Sequence, residues 1–291
     1  MSRRQNAEGG VAGQLGYYDR GATPYFANRK DPRFSYCLYV PEDYEFDGTD
    51  TYDLIVLIHG TARWAEHYRG AFSDFCERHR AIVLAPLFPG GITEPGELSS
   101  YKLLRHHGTD YDLVLLDMVA EVMERYRIRG ERFLLHGFSG GGHFSHRFLY
   151  LHPERLAGVS IGAPGIVTLL DGDHDFWVGV RDFESRFGKP LDIAAMRRVP
   201  VHLVIGEQDT ETWEIRLTRE DTWWMPGAET LAEANRLERM AALRGSLEAA
   251  GVICEQDIVP GAGHDGRAML APVKRWMARL LAANREGEAH R

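Results

Sequence analysis

The sequence contains few cysteines, no long apolar run and no excess of positive charge. Its three cysteines, Cys37, Cys76 and Cys254, are odd in number and far apart, so we expect reduced thiols rather than disulfides. No segment approaches the ~20 apolar residues of a transmembrane helix, and residues 1–21 contain no signal-peptide core. The formal net charge of -8 disfavours binding to nucleic acid or anionic membranes, because both would repel the chain. We therefore expect a cytoplasmic protein without either partner, and the oligomeric state is left open.

Six short apolar runs predict β-strands, separated by longer segments with helical periodicity. Most of the runs are apolar on both faces, which is typical of a parallel sheet covered by helices. The predicted strands span residues 53–60, 81–88, 132–139, 156–163, 201–209 and 252–259.

Three helices are predicted where apolar residues recur at three- and four-residue spacing, over 110–127, 231–250 and 266–283. Thr230 and Glu233 form a predicted capping box at the start of the second helix. The alternation of strands and helices predicts an α/β fold with a mostly parallel sheet.

Two segments are too long and too aromatic to be simple connections, and we interpret them as insertions over the carboxyl ends of the strands. The predicted organisation divides the chain into an extension, a core in two parts, the insertions and a tail. These parts are the extension 1–35, the core 36–165 and 200–285, the cap-like insertion 166–199, the aromatic insertion 211–229 within the core, and the tail 286–291.

The segment GFSGG, residues 137–141, stands between a predicted buried strand and a predicted helix. A Gly-x-Ser-x-Gly motif in this context is typical of a nucleophile elbow, a tight turn that projects the serine hydroxyl outward. Gly137 and Gly141 are expected to leave room for the neighbouring chain. The motif predicts Ser139 as a catalytic nucleophile, whereas a simple helix cap in a glycine-rich turn is the alternative.

A catalytic serine needs a base, and the base needs an acid to orient it. Asp209 directly follows the predicted strand 201–209, and His264 follows the last predicted strand within the segment GAGHDG. Both therefore belong at the carboxyl edge of the sheet, in the chain order serine, acid, histidine. Three other carboxylates remain candidates for the acid, namely Glu207, Asp221 and Asp265.

Hydrolysis of an acyl group also needs backbone N–H donors for the developing oxyanion. Gly140 follows the serine and supplies one predicted donor. Thr61, in the turn after strand 53–60, supplies the other, with Gly60 allowing a close approach.

The chain resembles the α/β-hydrolase superfamily in four motifs that occur in the expected order: LIVLIHGT, GFSGG, VIGEQD and GAGH. Within it, the chain looks most like single-domain esterases and depolymerase-like or feruloyl-esterase-like hydrolases. The resemblance implies an eight-stranded sheet, no cofactor, and Ser139, Asp209 and His264 as the catalytic triad. Phe138 departs from the polar residue that is common before the serine, and this leaves the substrate class open.

Aromatic residues near the expected site are candidates for substrate binding, although anchoring an insertion on the core is the alternative for each tryptophan. The predicted substrate-binding residues are Phe138, Trp213, Trp223 and Trp224.

Other motifs fit their usual functions poorly, and no metal site is predicted. The segment GAGHDG lacks the βαβ context of a dinucleotide site. Residues 171–175 resemble the start of a calcium loop, but Phe176 and Asp182 stand where that loop needs glycine and glutamate. His143 and His146 share a helix face without the glutamate of a zinc protease, and His106 and His107 are assigned to a solvated loop.

The predicted activity is hydrolysis of a small-molecule carboxylic ester through an acyl-enzyme intermediate. Three alternatives remain: a peptidase or amidase with the same triad, a lyase or acyltransferase with the same fold, and a non-catalytic binding protein.

Overall fold

The structure is a computed structural model that describes residues 16–289. The strands of this part of the chain are β1 (Gly21–Ala22), β2 (Phe26–Ala27), β3 (Ser35–Val40), β4 (Asp53–Ile58), β5 (Ala81–Leu87), β6 (Arg105–His106), β7 (Thr109–Asp110), β8 (Phe133–Phe138), β9 (Leu156–Gly162), β10 (Val201–Gly206) and β11 (Cys254–Val259). The α-helices are α1 (Ala65–Ala71), α2 (Ser73–His79), α3 (Tyr111–Arg125), α4 (Gly140–Leu151), α5 (Phe183–Phe187), α6 (Ile193–Met196), α7 (Arg236–Ala249) and α8 (Leu270–Ala289).

Nine strands form one twisted sheet in the order β1-β3-β5-β4-β8-β9-β10-β11, with β2 also paired to β3. Along this sheet, the neighbouring strands β5, β4, β8, β9, β10 and β11 all pair in parallel, whereas the pairs that involve β3 are antiparallel. The short strands β6 and β7 form a separate hairpin. The predicted α/β fold with a mostly parallel sheet is confirmed, and the sheet has nine strands where about eight were expected.

The three strands beyond the six predicted apolar runs, β1, β2 and β3, come from residues 21–40. Strands β1 and β2 contain two residues each, so they are too short to produce a recognisable periodic pattern. Both pair with β3, which continues the sheet by pairing with β5. The predicted extension 1–35 therefore contributes to the sheet from Gly21 onward, and residues 1–15 lie outside the described part of the chain.

Two helices begin or end at positions different from those predicted. Helix α7 begins at Arg236, and its capping box is formed by Asn235 and Glu238. Thr230 instead ends a short 3-10 helix, where its hydroxyl donates to the Gly227 carbonyl at 2.8 Å. Helix α8 continues to Ala289, so residues 286–289 of the predicted tail are helical. None of the helices within residues 16–289 is long and apolar enough to cross a membrane.

Helix α4 is the element that connects the core to the site. It packs on β8 and β9, and all twelve of its residues are buried. Phe144 and Phe148 stack on each other at 5.7 Å between ring centroids, and Phe144 also stacks on Phe88. Because α4 is held on all sides, the turn at its first residue has a fixed position.

Candidate active site

Ser139 occupies the turn between β8 and α4. Its backbone has φ 57° and ψ -117°, outside the region that residues other than glycine normally adopt. The Ser139 N–H donates to the Gly162 carbonyl of β9 at 2.8 Å, which anchors the strained residue. A Cβ atom on Gly137 would overlap with the Gly141 carbonyl, and one on Gly141 would overlap with the Ile58 carbonyl. The two glycines are therefore required by the tight turn around Ser139.

Gly142 has a different function from its neighbours. A Cβ atom at this position would overlap with the Gly162 carbonyl oxygen and lie 3.3 Å from the Pro164 nitrogen. The residue thus allows α4 to approach the end of β9 closely.

Three side chains form a continuous hydrogen-bonded chain at the carboxyl edge of the sheet. His264 Nε2 lies 3.0 Å from Ser139 Oγ, and His264 Nδ1 lies 2.7 Å from Asp209 Oδ2. Asp209 follows β10 and is 1% exposed, whereas His264 lies in the loop after β11. With the Nδ1 proton held by the carboxylate, Nε2 is free to accept the serine proton.

The other carboxylates considered for the acid have different partners. Glu207 accepts from the Gly261 N–H at 2.9 Å, and Asp265 accepts from the Arg267 N–H at 2.9 Å. Asp221 accepts from the backbone and hydroxyl of Thr218. Of the carboxylates in residues 16–289, Asp209 is the one that hydrogen-bonds His264.

Arg236 is a site residue that sequence reasoning missed. Its side chain is buried and lies 3.4 Å from Asp209 Oδ1, 3.2 Å from the Glu211 carbonyl and 2.9 Å from Glu214 Oε2. The guanidinium therefore neutralises and fixes the buried Asp209 carboxylate on the side opposite His264. Nothing in the spacing of the two residues indicates this contact, because it depends on how α7 packs beside β10.

The two predicted oxyanion donors lie close together. Gly140 is the first residue of α4, and Thr61 follows β4. A Cβ atom on Gly140 would lie 3.2 Å from the Thr61 nitrogen. The Arg63 guanidinium donates to the Thr61 carbonyl at 2.6 Å and thereby holds the turn. A substrate oxygen between these segments would also lie at the positive end of the α4 dipole.

A cavity of about 260 Å³ opens beside Ser139, Gly140 and Thr61. Its walls also include Trp223 and the partly buried Lys102. A second groove of about 350 Å³ includes Trp64, Tyr68 and Gly266, and Gly266 is two residues after His264 in the chain. Of these residues, Trp223 is one of the four predicted substrate-binding residues.

The remaining predicted substrate-binding residues have different environments. Phe138 is buried, and its ring centroid lies 4.7 Å from that of His264, so it packs against the imidazole. Trp224 lies beneath the Arg219 guanidinium at 5.6 Å and packs on the core. Trp213 is 77% exposed and is not among the residues that line either space. Trp223 accepts a hydrogen bond on its carbonyl from the Trp177 indole at 3.0 Å, which joins the two predicted insertions.

The two histidines of α4 have structural partners. His146 Nδ1 lies 2.8 Å from the Gly142 carbonyl, and its Nε2 accepts from the Thr168 N–H. His143 Nε2 accepts from the backbone N–H groups of Gly165 and Ile166 at 2.8 Å and 3.1 Å. Burial lowers the pKa of both imidazoles well below the usual range, so both are neutral.

Within the described residues, one group of side chains has the spacing of metal ligands. Glu94, His106 and His107 place a ligand atom each within 4.8 Å of one another. The two histidines were predicted to lie in a solvated loop, but His106 is partly buried. The His106 ring stacks on the His107 ring, with 4.1 Å between the ring centroids. None of the three lines the cavity beside Ser139.

Comparisons with known proteins connect the chain to hydrolases through solved structures. No protein-family profile matches the sequence, and no curated protein matches it. The structure is similar to the poly(3-hydroxybutyrate) depolymerase LpqC from Bordetella parapertussis, with 26% identity and a TM-score of 0.69, over 92% of this chain and 97% of the other. It is similar to poly(aspartic acid) hydrolase-1 from Sphingomonas sp. KT-1, with 23% identity and a TM-score of 0.66, over 88% and 98% of the two chains. It also resembles the S-formylglutathione hydrolase from Staphylococcus aureus, with 14% identity and a TM-score of 0.58, over 89% and 98%. The last two likenesses concern the fold alone.

Proposed function

We propose that this chain is a serine hydrolase of the α/β-hydrolase superfamily and that it hydrolyses a carboxylic ester through an acyl-enzyme intermediate on Ser139. The observation that carries the proposal is the hydrogen-bonded chain from Ser139 through His264 to Asp209. The same three residue types in this geometry, though in different chain orders, perform acyl transfer on several unrelated folds.

In the proposed reaction, His264 Nε2 removes the Ser139 proton while Oγ attacks the ester carbonyl carbon. The N–H groups of Gly140 and Thr61 stabilise the oxyanion, and each such donor typically contributes about 10²–10³ in rate. His264 then protonates the leaving alcohol and the acyl-enzyme forms. A water molecule, deprotonated by His264, attacks the acyl carbon and releases the acid and free Ser139.

The cavity and the groove beside the triad suggest that the acyl group and the alcohol of the ester bind in separate places. The leaving group must reach the proton on His264, and the groove with Trp64 and Tyr68 adjoins the His264 loop. The lining of neither space includes His264, but Gly266 of the groove is two residues from it, whereas the cavity is lined by Ser139 and by the proposed oxyanion donors Gly140 and Thr61. We therefore place the acyl group of a small ester in the cavity and the alcohol in the groove.

The Ser139→Ala variant tests this function. Removing the hydroxyl is expected to lower kcat/KM for a p-nitrophenyl ester by about 10⁴-fold or more, while the protein stays folded. A fluorophosphonate probe is expected to label wild type and not this variant. Ser185→Ala is the matched control, because that exposed hydroxyl donates only to the Asp182 carbonyl. Undiminished turnover by Ser139→Ala would contradict the proposal, and faster cleavage of a matched anilide would place the reaction among amidases.

The cytoplasmic location stays a prediction. Cys37 and Cys76 are buried, Cys254 is partly buried, and all three are free thiols. This state is compatible with a reducing compartment.

A further inference from the structure

Lys102 places an uncompensated positive charge beside the proposed nucleophile. It belongs to the 3-10 helix Ser100–Leu103 and lines the same cavity as Ser139. A Cβ atom on Gly140 would lie 3.0 Å from Lys102 Cε, so the lysine stem passes directly over the proposed oxyanion donor. Its Nζ donates to Ser99 Oγ at 3.1 Å, and none of the ion pairs in residues 16–289 includes it.

The carboxylates of the cavity wall are already occupied by other donors. Glu214 accepts from Arg236 at 2.9 Å, and Asp221 accepts from the Thr218 N–H and hydroxyl. Arg216, an exposed cation of the wall, pairs with Glu233 at 2.9 Å. Lys102 is thus the cation of this cavity that lacks a carboxylate partner within the described chain.

Two more donors at this cavity lack acceptors. His143 is 6% exposed, and because its Nε2 accepts two backbone N–H groups, its proton is on Nδ1. That Nδ1 has no hydrogen-bond partner in the described part of the chain, and neither has Nε of the buried Arg236. The unsatisfied buried polar atoms of the lining residues are therefore both donors, and behind the cavity wall they add to its positive potential.

A purely structural function explains Lys102 poorly. Burial, with the nearby cations Arg63 and Arg147, lowers its pKa to about 8, and Glu97 and Glu214 offset only part of this effect. Glu97 itself accepts from the N–H groups at the start of the 3-10 helix. An ammonium in this position has lost hydration without gaining a counter-ion, and an anionic ligand would supply one.

We propose that Lys102 binds an anionic group, a carboxylate, on the acyl portion of the substrate, so that the enzyme prefers esters of dicarboxylic acids to uncharged esters. The inference rests on the proposed function and on the assignment of this cavity to the acyl group. Lys102 then acts as a residue that determines specificity, and Ser139 and His264 perform the same chemistry on either ester.

The test compares two substrates that differ in one charge, the mono-p-nitrophenyl ester of adipic acid and the p-nitrophenyl ester of monomethyl adipate. Wild type is expected to give a kcat/KM at least about tenfold higher for the charged ester, as typical for a charge-assisted hydrogen bond. Lys102→Met is expected to abolish this ratio, and Lys102→Arg to retain part of it. Arg216→Met removes a cation that is already paired, so the ratio is expected to persist. Fluorophosphonate labelling of Ser139 checks that each variant is folded.

The ratio also has an expected pH dependence. Lys102 is charged below its pKa of about 8, so the preference should be full at pH 6.5 and decline toward the Lys102→Met value at pH 9.5. A wild-type ratio near one, or an equal loss on both esters in Lys102→Met, would overturn the inference while Ser139-dependent hydrolysis persists. Hydrolysis that survives Ser139→Ala would instead overturn the proposed function.

Discussion

Asp209→Asn isolates the contribution of the buried carboxylate to catalysis. The substitution keeps the size of the side chain and removes its charge. Asp209 Oδ2 lies 2.7 Å from His264 Nδ1, and Oδ1 lies 3.4 Å from Arg236. An asparagine amide satisfies Arg236 with its oxygen and so turns its NH₂ group toward His264. Nδ1 must then accept a hydrogen bond from that NH₂ group, which places the ring proton on Nε2, opposite Ser139 Oγ.

The expected loss follows from this change of tautomer. A histidine with its proton on Nε2 cannot accept the serine proton, and the imidazolium that forms during reaction has lost its counter-ion. A comparable substitution lowers kcat by about 10⁴-fold, equivalent to about 5.5 kcal/mol of transition-state stabilisation. The free energy of unfolding should fall by only about 1–3 kcal/mol, because Arg236 retains its hydrogen bonds to Glu214 at 2.9 Å and to the Glu211 carbonyl at 3.2 Å.

Steady-state hydrolysis of a p-nitrophenyl ester measures the catalytic loss, and urea unfolding measures the change in stability. Glu207→Gln is the matched control, since it removes a carboxylate near the site that does not hydrogen-bond His264. It should keep kcat within about threefold of wild type, as expected for a surface substitution. If Asp209→Asn retains more than a tenth of the activity, or if the control loses as much, the assignment of the acid is wrong.

Two further outcomes concern packing and acid stability. Gly142→Ala forces a methyl group against the Gly162 carbonyl and should shift α4, so we expect kcat/KM in an ester assay to fall about 10–100-fold. Gly245→Ala in α7 places its methyl group in open space, and we expect the free energy of unfolding in urea to rise by about 0.5–1 kcal/mol. Equal effects of the two alanines would show that α4 tolerates the shift. Burial lowers the pKa of His59 and His136 to about 3, so each is neutral when folded but protonates near pH 6.5 when unfolded. The contribution of these histidines to the free energy of unfolding is full above pH 6.5, and below it this contribution declines by up to about 1.4 kcal/mol per pH unit for each histidine. Unchanged midpoints of urea unfolding between pH 7 and pH 5 would refute this account.

The local geometry at Ser139 could be predicted from the sequence because it depends on neighbouring residues. Gly137 and Gly141 lie two residues before and two residues after the serine, and the tight turn requires a glycine at both positions. The α/β fold could be predicted for a similar reason, since each buried parallel strand is apolar within its own six or seven residues. The start of α7 was predicted five residues too early, because Thr230 and Asn235 offer equally good local capping patterns.

The partners of the triad required the tertiary structure. Glu207 and Asp209 are two residues apart after the same strand, and only the path of the loop after β11 determines which of them meets His264. Lys102 and Arg236 converge on the site from a 3-10 helix and from α7, so no spacing along the chain indicates them.

The sequence by itself determined the fold class, the strained serine turn, and the order in which serine, acid and histidine follow their strands. These features depend on short-range sterics and on the burial pattern of single strands. The tertiary structure decided that Asp209 is the residue hydrogen-bonded to His264, that Trp213 is exposed, and that Lys102 lines the cavity without a carboxylate partner among residues 16–289. Such contacts join side chains that are far apart in the chain, and they exist only once the helices have packed on the sheet.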